Sequence, residues 1–361
     1  MIEHPVDSDS DTPADVAIAG EGTATPIGVK LGSNRTTIVF REDGARETVQ
    51  ALSCLTVPDN PAASDTRVHY GETAARRFPE RTVYVLQSGL PADATSGRQT
   101  EQFFDALCTE YDLPADSAVV YAIPSVPDEC GLANLSTVVD RSAVGEALTR
   151  GFPESLCGSI PALGDGVEAI DQIFVALNLG ATTFEACAYR HGDRQAPFST
   201  DDATGRSVDW AIVDAVEDET DGAVTLDRET AREYKETHAD FDSYEPFSDT
   251  VEHPDGGTHE FTVEHGVMGP LDAYLDDVVD ALDTGFFSRL ANRHLKTYQL
   301  ALTRPLVVTG GMACVPGLAD ELAARLGERL GRDVTVVTPD RPDTAAAEGA
   351  YRIAERLVAD D

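Results

Sequence analysis

Two short apolar stretches near the start of the sequence flank a turn that contains glycine. Residues 27–31 and 36–40 have the length and the β-branched content of strands, and the turn between them is Gly-Ser-Asn-Arg over residues 32–35. Glycine opens such a connection without a steric penalty. This segment therefore predicts a β-hairpin.

The same layout appears again about 150 residues later. A strand over residues 173–179 enters the turn Gly-Ala-Thr-Thr at 180–183, and a second strand leaves it over residues 184–188. Two units of this kind predict two similar halves, each of which opens with a hairpin.

A third apolar segment, residues 305–315, runs straight into the pair Gly310 and Gly311. Residues 316–331 follow with helical spacing and end at a glycine, which predicts a helix. A strand, a glycine pair and a helix form a backbone arrangement suited to a phosphate or a nucleoside.

Charge adds a second kind of information to this α/β pattern. The 361 residues include 64 acidic and 27 basic side chains, which give a net charge of −37, and the three lysines are Lys30, Lys235 and Lys296. Such a field repels nucleic acid and anionic lipid at ordinary salt. In molar salt the Debye length is about 3 Å, so a carboxylate-rich surface stays soluble. A specialised acidic binding protein is one explanation of this composition, but a cytoplasmic protein of a cell with molar internal salt is favoured.

Other features exclude some classes of protein. Apolar runs such as residues 118–124 are too short to span a bilayer. Residues 1–25 lack the basic and apolar regions of a signal peptide and are interpreted as an acidic disordered tail without a membrane anchor. The six cysteines have neither CxxC nor metal-ligand spacing, which favours buried, reduced thiols.

In their order and separation, the three glycine segments resemble the phosphate-1, phosphate-2 and adenosine motifs of the actin, heat-shock-chaperone and sugar-kinase superfamily. The resemblance extends from about Pro26 to Leu357 and is strongest to the bacterial MreB group and the haloarchaeal actin homologues called salactin and volactin. Five further blocks carry it, namely residues 68–78, 118–125, 205–216, 230–236 and 342–357.

The resemblance implies an α/β fold in which two related actin-like, ribonuclease H-like domains flank a nucleotide cleft. We expect domain I over residues 26–165 plus 336–361, and domain II over 166–335. ATP or GTP would lie between them. The residues carried over as nucleotide-binding are Lys30, Gly32, Ser33, Asn34, Arg35, Asn178, Gly180, Ala181, Thr182, Thr183, Glu185, Arg232, Lys235, Gly310, Gly311 and Met312.

The sequence departs from the family at the metal site, where Lys30 and Asn178 replace two aspartates. This change makes Mg²⁺ doubtful, and no metal ligands are predicted. Either Lys30 replaces the cation and pairs with a phosphate, or the site has decayed and Lys30 reaches into solvent. Glu129 is the candidate for positioning the attacking water, and ATPase activity is expected to be weak or absent.

The resemblance implies a cytoskeletal protein that assembles with copies of itself, under regulators that the sequence does not identify. One alternative is a non-polymerising pseudo-ATPase scaffold, and another is an enzyme of the sugar-kinase type. Residues 237–266 contain four histidines among many acids, for which an exposed hairpin is favoured over a metal site.

Overall fold

The computed structural model describes residues 24–57, 68–164, 167, 171–252 and 257–360. Most of the predicted acidic tail, residues 1–23, lies outside these ranges. The strands are β1 (Thr25–Leu31), β2 (Arg35–Glu42), β3 (Ala45–Leu52), β4 (Cys54–Thr56), β5 (Thr82–Tyr84), β6 (Ser117–Ile123), β7 (Leu148–Pro153), β8 (Ile173–Leu179), β9 (Phe184–Arg190), β10 (Asp193–Thr200), β11 (Phe247–Glu252), β12 (Thr258–Val263), β13 (Leu306–Thr309) and β14 (Val336–Val337).

Two five-stranded sheets repeat one topology. The first has the order β3-β2-β1-β6-β7 and the second the order β10-β9-β8-β13-β14. In each sheet the first three strands in this order pair antiparallel and the last three pair parallel. Both predicted hairpins are confirmed, as β1–β2 and β8–β9. Each hairpin supplies the central strand of its sheet.

Helices cover the faces of both sheets. The predicted helix over 316–331 is observed as Leu318–Leu330, because Gly317 has a left-handed φ of 73° and a 3₁₀ turn over Gly311–Cys314 precedes it. The α-helices are α1 (Gly71–Arg77), α2 (Ala94–Glu110), α3 (Glu129–Arg141), α4 (Glu154–Leu163), α5 (Gly205–Glu219), α6 (Arg228–His238), α7 (Met268–Asp280), α8 (Ser288–Arg293), α9 (Leu295–Ala301), α10 (Leu318–Leu330) and α11 (Ala345–Asp360), with a π-helix over Ala281–Phe287 between α7 and α8.

Helix α4 packs against both sheets at once. Cys157 and Ile160 share a buried cluster with Val120 of β6 and with α11, whereas Leu156 packs against Phe174 of β8. The first residue of this helix, Glu154, therefore lies at the junction between the two sheets.

Several predictions can be compared directly with this architecture. Strand β14 pairs with β13 in the second sheet, although the predicted domain I resumes at residue 336, where this strand begins. The domain boundaries stay a prediction. The hairpin expected within 237–266 is observed as β11–β12, while His253 lies outside the described residues. No helix in the described part of the chain is long and apolar enough to cross a membrane.

The expectation of buried thiols is wrong for two of the six cysteines. Cys54, Cys108, Cys157 and Cys187 are buried, but Cys130 and Cys314 are exposed. The sequence could not separate the buried cysteines from the exposed ones, because an isolated cysteine carries no pattern that distinguishes the inner face of a helix or turn from the outer face.

Candidate functional site

A cavity of about 500 Å³ lies between the two sheets. Its volume is within the usual range for sites that hold small molecules. Two of the sixteen predicted nucleotide-binding residues, Glu185 and Gly310, are buried and absent from its wall. The other fourteen line it: Lys30, Gly32, Ser33, Asn34, Arg35, Asn178, Gly180, Ala181, Thr182, Thr183, Arg232, Lys235, Gly311 and Met312.

The two hairpin turns at the cavity have matching backbone geometry. A Cβ atom on Gly32 would lie 2.6 Å from the carbonyl oxygen of Arg35, and one on Gly180 would lie 2.7 Å from that of Thr183. In each turn the glycine thus lies too close to the carbonyl three residues later for any side chain to fit. In the second turn a hydrogen bond accompanies this close approach, since the Gly180 N–H donates to the Thr183 carbonyl oxygen at 3.0 Å.

The tips of the two turns touch each other. The Thr182 hydroxyl donates a hydrogen bond of 2.7 Å to the hydroxyl of Ser33, which also accepts one of 2.7 Å from the Gly89 N–H. Small hydroxyl side chains and nearby backbone N–H groups are the groups that approach a polyphosphate closely. The second turn is fixed further because the N–H groups of Gly205 and Arg206, at the start of α5, donate to its carbonyls.

Lys30 and Asn178 occupy equivalent positions, each two residues before the first glycine of its turn. Both side chains contact the same carboxylate oxygen, Glu154 Oε1, at 2.8 Å from Lys30 Nζ and 3.0 Å from Asn178 Nδ2. The Lys30 side chain is only 14% exposed, so the interpretation in which it reaches into solvent is wrong. The ion pair with Glu154 holds Lys30 at the cavity wall.

A second carboxyl group lies behind this pair. Glu185 is opposite Asn178 in the hairpin, is 1% exposed, and accepts a hydrogen bond of 2.9 Å from the Ser125 N–H through Oε1. Its Oε2 atom has no partner among the described residues. Burial, helped by the Glu154 carboxylate, raises the pKa of Glu185 to about 8, which favours the protonated form of this group.

The ammonium group of Lys30 is stabilised by the same surroundings. Burial opposes its charge, but the carboxylates of Glu154, Glu185 and Asp343 outweigh that effect and raise its pKa. The positive charge of Lys30 and the negative charge of Glu154 offset each other, and Glu185 adds little charge while it is protonated.

These groups do not fit a magnesium ion. Mg²⁺ is bound through one or two carboxylates together with waters and substrate phosphates. At the two positions that face the cavity from β1 and β8, this chain has an ammonium and an amide instead. No cluster of three or more potential metal ligands occurs within the described ranges.

The two cations of helix α6 that were predicted from the sequence, Arg232 and Lys235, lie in the opposite wall. Lys235 Nζ donates to the Gly205 carbonyl at 3.0 Å and forms a buried ion pair with Asp209, whose pKa is raised because burial outweighs the lysine. Arg232 pairs with Glu229 at 2.9 Å and with Glu236 at 3.2 Å. Both predicted residues therefore line the cavity with their charges already paired.

Arg206 is a lining residue that the sequence analysis missed. Its Nε atom is buried without a hydrogen-bond partner, and no ion pair links it to any other described residue. Burial and the nearby Arg228 lower its pKa. The sequence feature that could have identified Arg206 is its position directly after Gly205, in the block 205–216 that carries the family resemblance.

The cavity wall has a net positive charge. Six basic and four acidic side chains line the cavity, so the wall has a net charge of +2 in a chain whose net charge is −37.

Side chains also join the two halves at the edge of the cavity. Arg35, at the end of the first turn, pairs with Glu72 of α1 at 3.2 Å and with Glu236 of α6 at 3.5 Å. The hydroxyl of Tyr84 in β5 donates to Glu229 of α6 at 3.2 Å. These contacts connect α6 to the part of the chain that contains the first sheet.

Glu129 does not lie among the residues that line the cavity. It is exposed at the start of α3, where Asp128 caps the helix by accepting from the Gly131 N–H at 2.9 Å. The carboxylate that reaches the cavity beside Lys30 and Asn178 is that of Glu154, a residue not predicted from the sequence. Glu154 and Glu129 differ in their access to the cavity because α4 begins directly after β7, at the junction of the sheets, whereas the start of α3 is exposed.

Comparison with known proteins agrees with this architecture. A family model described as Salactin matches residues 24–358. The chain is 47% identical to salactin of Halobacterium salinarum over 352 residues, which cover 98% of this chain and 97% of that protein.

Solved structures of two proteins show the fold. MreB5 of Spiroplasma citri, in crystals with AMPPNP or with ADP, has a TM-score of 0.75 and 15% identity, and covers 94% of this chain and 98% of its own. The MamK double helical filament has a TM-score of 0.72 and 16% identity, with coverage of 91% and 98%. The predicted actin-like α/β fold is thereby confirmed, and the chain belongs to the salactin family.

Proposed function

We propose that this protein binds a purine nucleoside polyphosphate in the cavity and assembles into filaments in a nucleotide-dependent way, within the cytoplasm. The observation that carries the proposal is the meeting of the two glycine turns at Ser33 and Thr182 inside a cavity with a net positive wall. The solved MreB5 structures contain AMPPNP or ADP, and MamK forms a double helical filament.

The polyphosphate would lie between the turns. The hydroxyls of Ser33 and Thr182 bond to each other across the two turns. Each hydroxyl can rotate to hydrogen-bond with a phosphate oxygen instead. Arg206 offers a guanidinium group that forms no ion pair with any other described residue, and its Nε atom has no hydrogen-bond partner there. The base would lie at the other end, where Met312, Val315 and Pro316 form an apolar surface.

Lys30 is proposed to supply the positive charge that a metal ion would otherwise provide. Its ammonium group lies within the cavity wall and is bound to Glu154, from which it can turn to a phosphate as a point charge. We therefore expect nucleotide binding to be nearly independent of Mg²⁺.

Hydrolysis is proposed to be slow. A transferring phosphoryl group needs several positive charges around it and a positioned water molecule. Glu154 is the carboxylate nearest to this role, but Lys30 and Asn178 both hold its Oε1 atom. A group engaged by two partners is a poor acceptor for a proton from water.

A binding titration tests the nucleotide part of this proposal. Fluorescent analogues of ATP and GTP are titrated into the full-length protein in molar KCl, once with Mg²⁺ and once with EDTA. We expect saturable binding that changes less than about threefold between the two conditions. Absence of binding would contradict the nucleotide proposal, whereas binding only with Mg²⁺ would contradict the role of Lys30 alone.

A further inference from the structure

One stretch of the chain departs from the acidic composition of the rest. Residues 284–319 contain no aspartate or glutamate, although the whole chain has 64 of them. The same stretch contains four basic residues, Arg289, Arg293, Lys296 and Arg304. Helices α8 and α9 and the turn after them expose all four.

Apolar side chains are exposed in the same place. Leu295 is 57% and Leu300 is 38% exposed, and Lys296 lies one helical turn before Leu300 on α9. Arg293, Lys296 and Arg304 form no ion pair with any other described residue. We call Arg293, Leu295, Lys296, Leu300 and Arg304 the basic leucine patch.

A surface of opposite charge is present on α5. The single tryptophan of the chain, Trp210, is 53% exposed there, and Asp214 and Asp218 follow at four-residue intervals and are also exposed. Residues at this spacing lie on one face of a helix. We call Trp210, Asp214 and Asp218 the acidic tryptophan stripe. Trp210, Leu295 and Leu300 are the large hydrophobic side chains that are exposed in the described part of the chain.

We propose that the basic leucine patch of one molecule binds the acidic tryptophan stripe of a second copy of this chain. In molar salt only charges in direct contact interact strongly, so unpaired cations beside exposed leucines fit a partner with carboxylates beside an apolar group. Because the two surfaces differ, the contact is head-to-tail and leaves a free patch and a free stripe for further copies. This inference rests on the proposed assembly into filaments and specifies the surfaces that carry it.

Charge reversal on each surface tests the contact. One variant carries Arg293→Glu and Lys296→Glu, and the other carries Asp214→Arg and Asp218→Arg. The control carries Arg98→Glu and Arg141→Glu, which change the net charge as the first variant does but lie exposed on α2 and α3. Binding of the fluorescent ATP analogue shows whether each variant is folded, and sedimentation with electron microscopy in molar KCl measures assembly.

We expect each reversed variant to raise the critical concentration at least about tenfold, while the control assembles like the wild type. An equimolar mixture of the two reversed variants should assemble, because every patch then meets a stripe of opposite charge. If the reversed variants assemble alone as the wild type does, the inference is overturned and the proposed filaments stand.

Two other results would also count against the inference. If the wild type stays monomeric in every condition, both the proposed assembly and this contact fall. If the wild type instead binds anionic vesicles or nucleic acid in molar KCl, and Arg293→Glu with Lys296→Glu removes that binding, the partner of the patch is not a second copy.

Discussion

Lys30 Nζ lies 2.8 Å from Glu154 Oε1, which joins the strand that leads into the first turn to the helix between the two sheets. Asn178 reaches the same oxygen from the second hairpin. Equivalent positions in the two related halves thus converge on one carboxylate. We expect the stability of this junction to depend on this contact, together with the charge that Lys30 would offer to a phosphate under the proposed function.

Removal of Lys30 is expected to destabilise the fold. Lys30→Met leaves the Glu154 carboxylate without its cation next to the buried Glu185. We expect the free energy of unfolding to fall by about 2–3 kcal/mol, measured by chemical denaturation at constant molar salt. Lys296→Met, at an exposed lysine, should change it by less than about 0.5 kcal/mol.

A double variant separates this charge effect from simple loss of packing. Lys30→Met combined with Glu154→Gln removes both charges and should recover most of the lost stability. Equal stability of Lys30→Met and the wild type would show that the ion pair does not hold the junction.

Glu185 predicts a pH dependence of stability. Its pKa is raised from an ordinary value of 4.5 to about 8, so the folded state holds this proton more tightly than the unfolded state. The associated stability is therefore fully present below about pH 4.5 and is lost as the pH rises through about 8. Glu185→Gln, which keeps an acceptor for the Ser125 N–H, should remove this contribution.

The measurement is the difference in free energy of unfolding between the wild type and Glu185→Gln at about pH 5, 7 and 9. We expect the wild type to lose stability relative to the variant across this series. A difference that stays constant would mean that Glu185 is already ionised at low pH in the folded protein.

Arg206 is expected to affect binding more than stability. It makes no ion pair in the described part of the chain and lies near Arg228, so Arg206→Met removes a half-buried charge that Asp209 and Glu229 offset only at a distance. Stability should be unchanged or slightly higher, while affinity for the ATP analogue should fall about tenfold. Arg194→Met, at an exposed position on β10, serves as the control. Unchanged affinity in Arg206→Met would exclude contact between this guanidinium and the nucleotide.

Trp210 gives an optical test of the proposed contact between copies. Since it is the single tryptophan and is 53% exposed, its emission reports on the acidic tryptophan stripe alone. On assembly we expect the emission to shift to shorter wavelength and quenching by iodide to decrease, because the ring leaves water. Filaments with the emission and quenching of the monomer would contradict burial of this stripe.

Local patterns in the sequence were enough to predict much of the fold. The two hairpins follow from strand-like stretches around Gly32 and Gly180, and the helix after Gly317 follows from its spacing. These features depend on residues close together in the chain, where glycine chemistry and hydrophobic periodicity act directly.

The side-chain partners in the cavity could not be predicted in the same way. Glu154 is 124 residues from Lys30, and Asp209 is 26 residues from Lys235; no motif links the members of either pair. Only the packing of α4 and α5 brings them together. The position of Glu129 after β6 predicts a place near the attacking water, but Glu129 is exposed at the start of α3 and does not line the cavity.

The most direct test of the whole account is sedimentation with electron microscopy in molar KCl. Wild-type protein is compared with ATP, with ADP and without nucleotide, each with Mg²⁺ and with EDTA. We predict filaments with ATP whose amount is nearly the same with Mg²⁺ and with EDTA, as expected if Lys30 supplies the cation. A protein that remains monomeric under every condition would contradict nucleotide-dependent assembly and favour a non-polymerising scaffold.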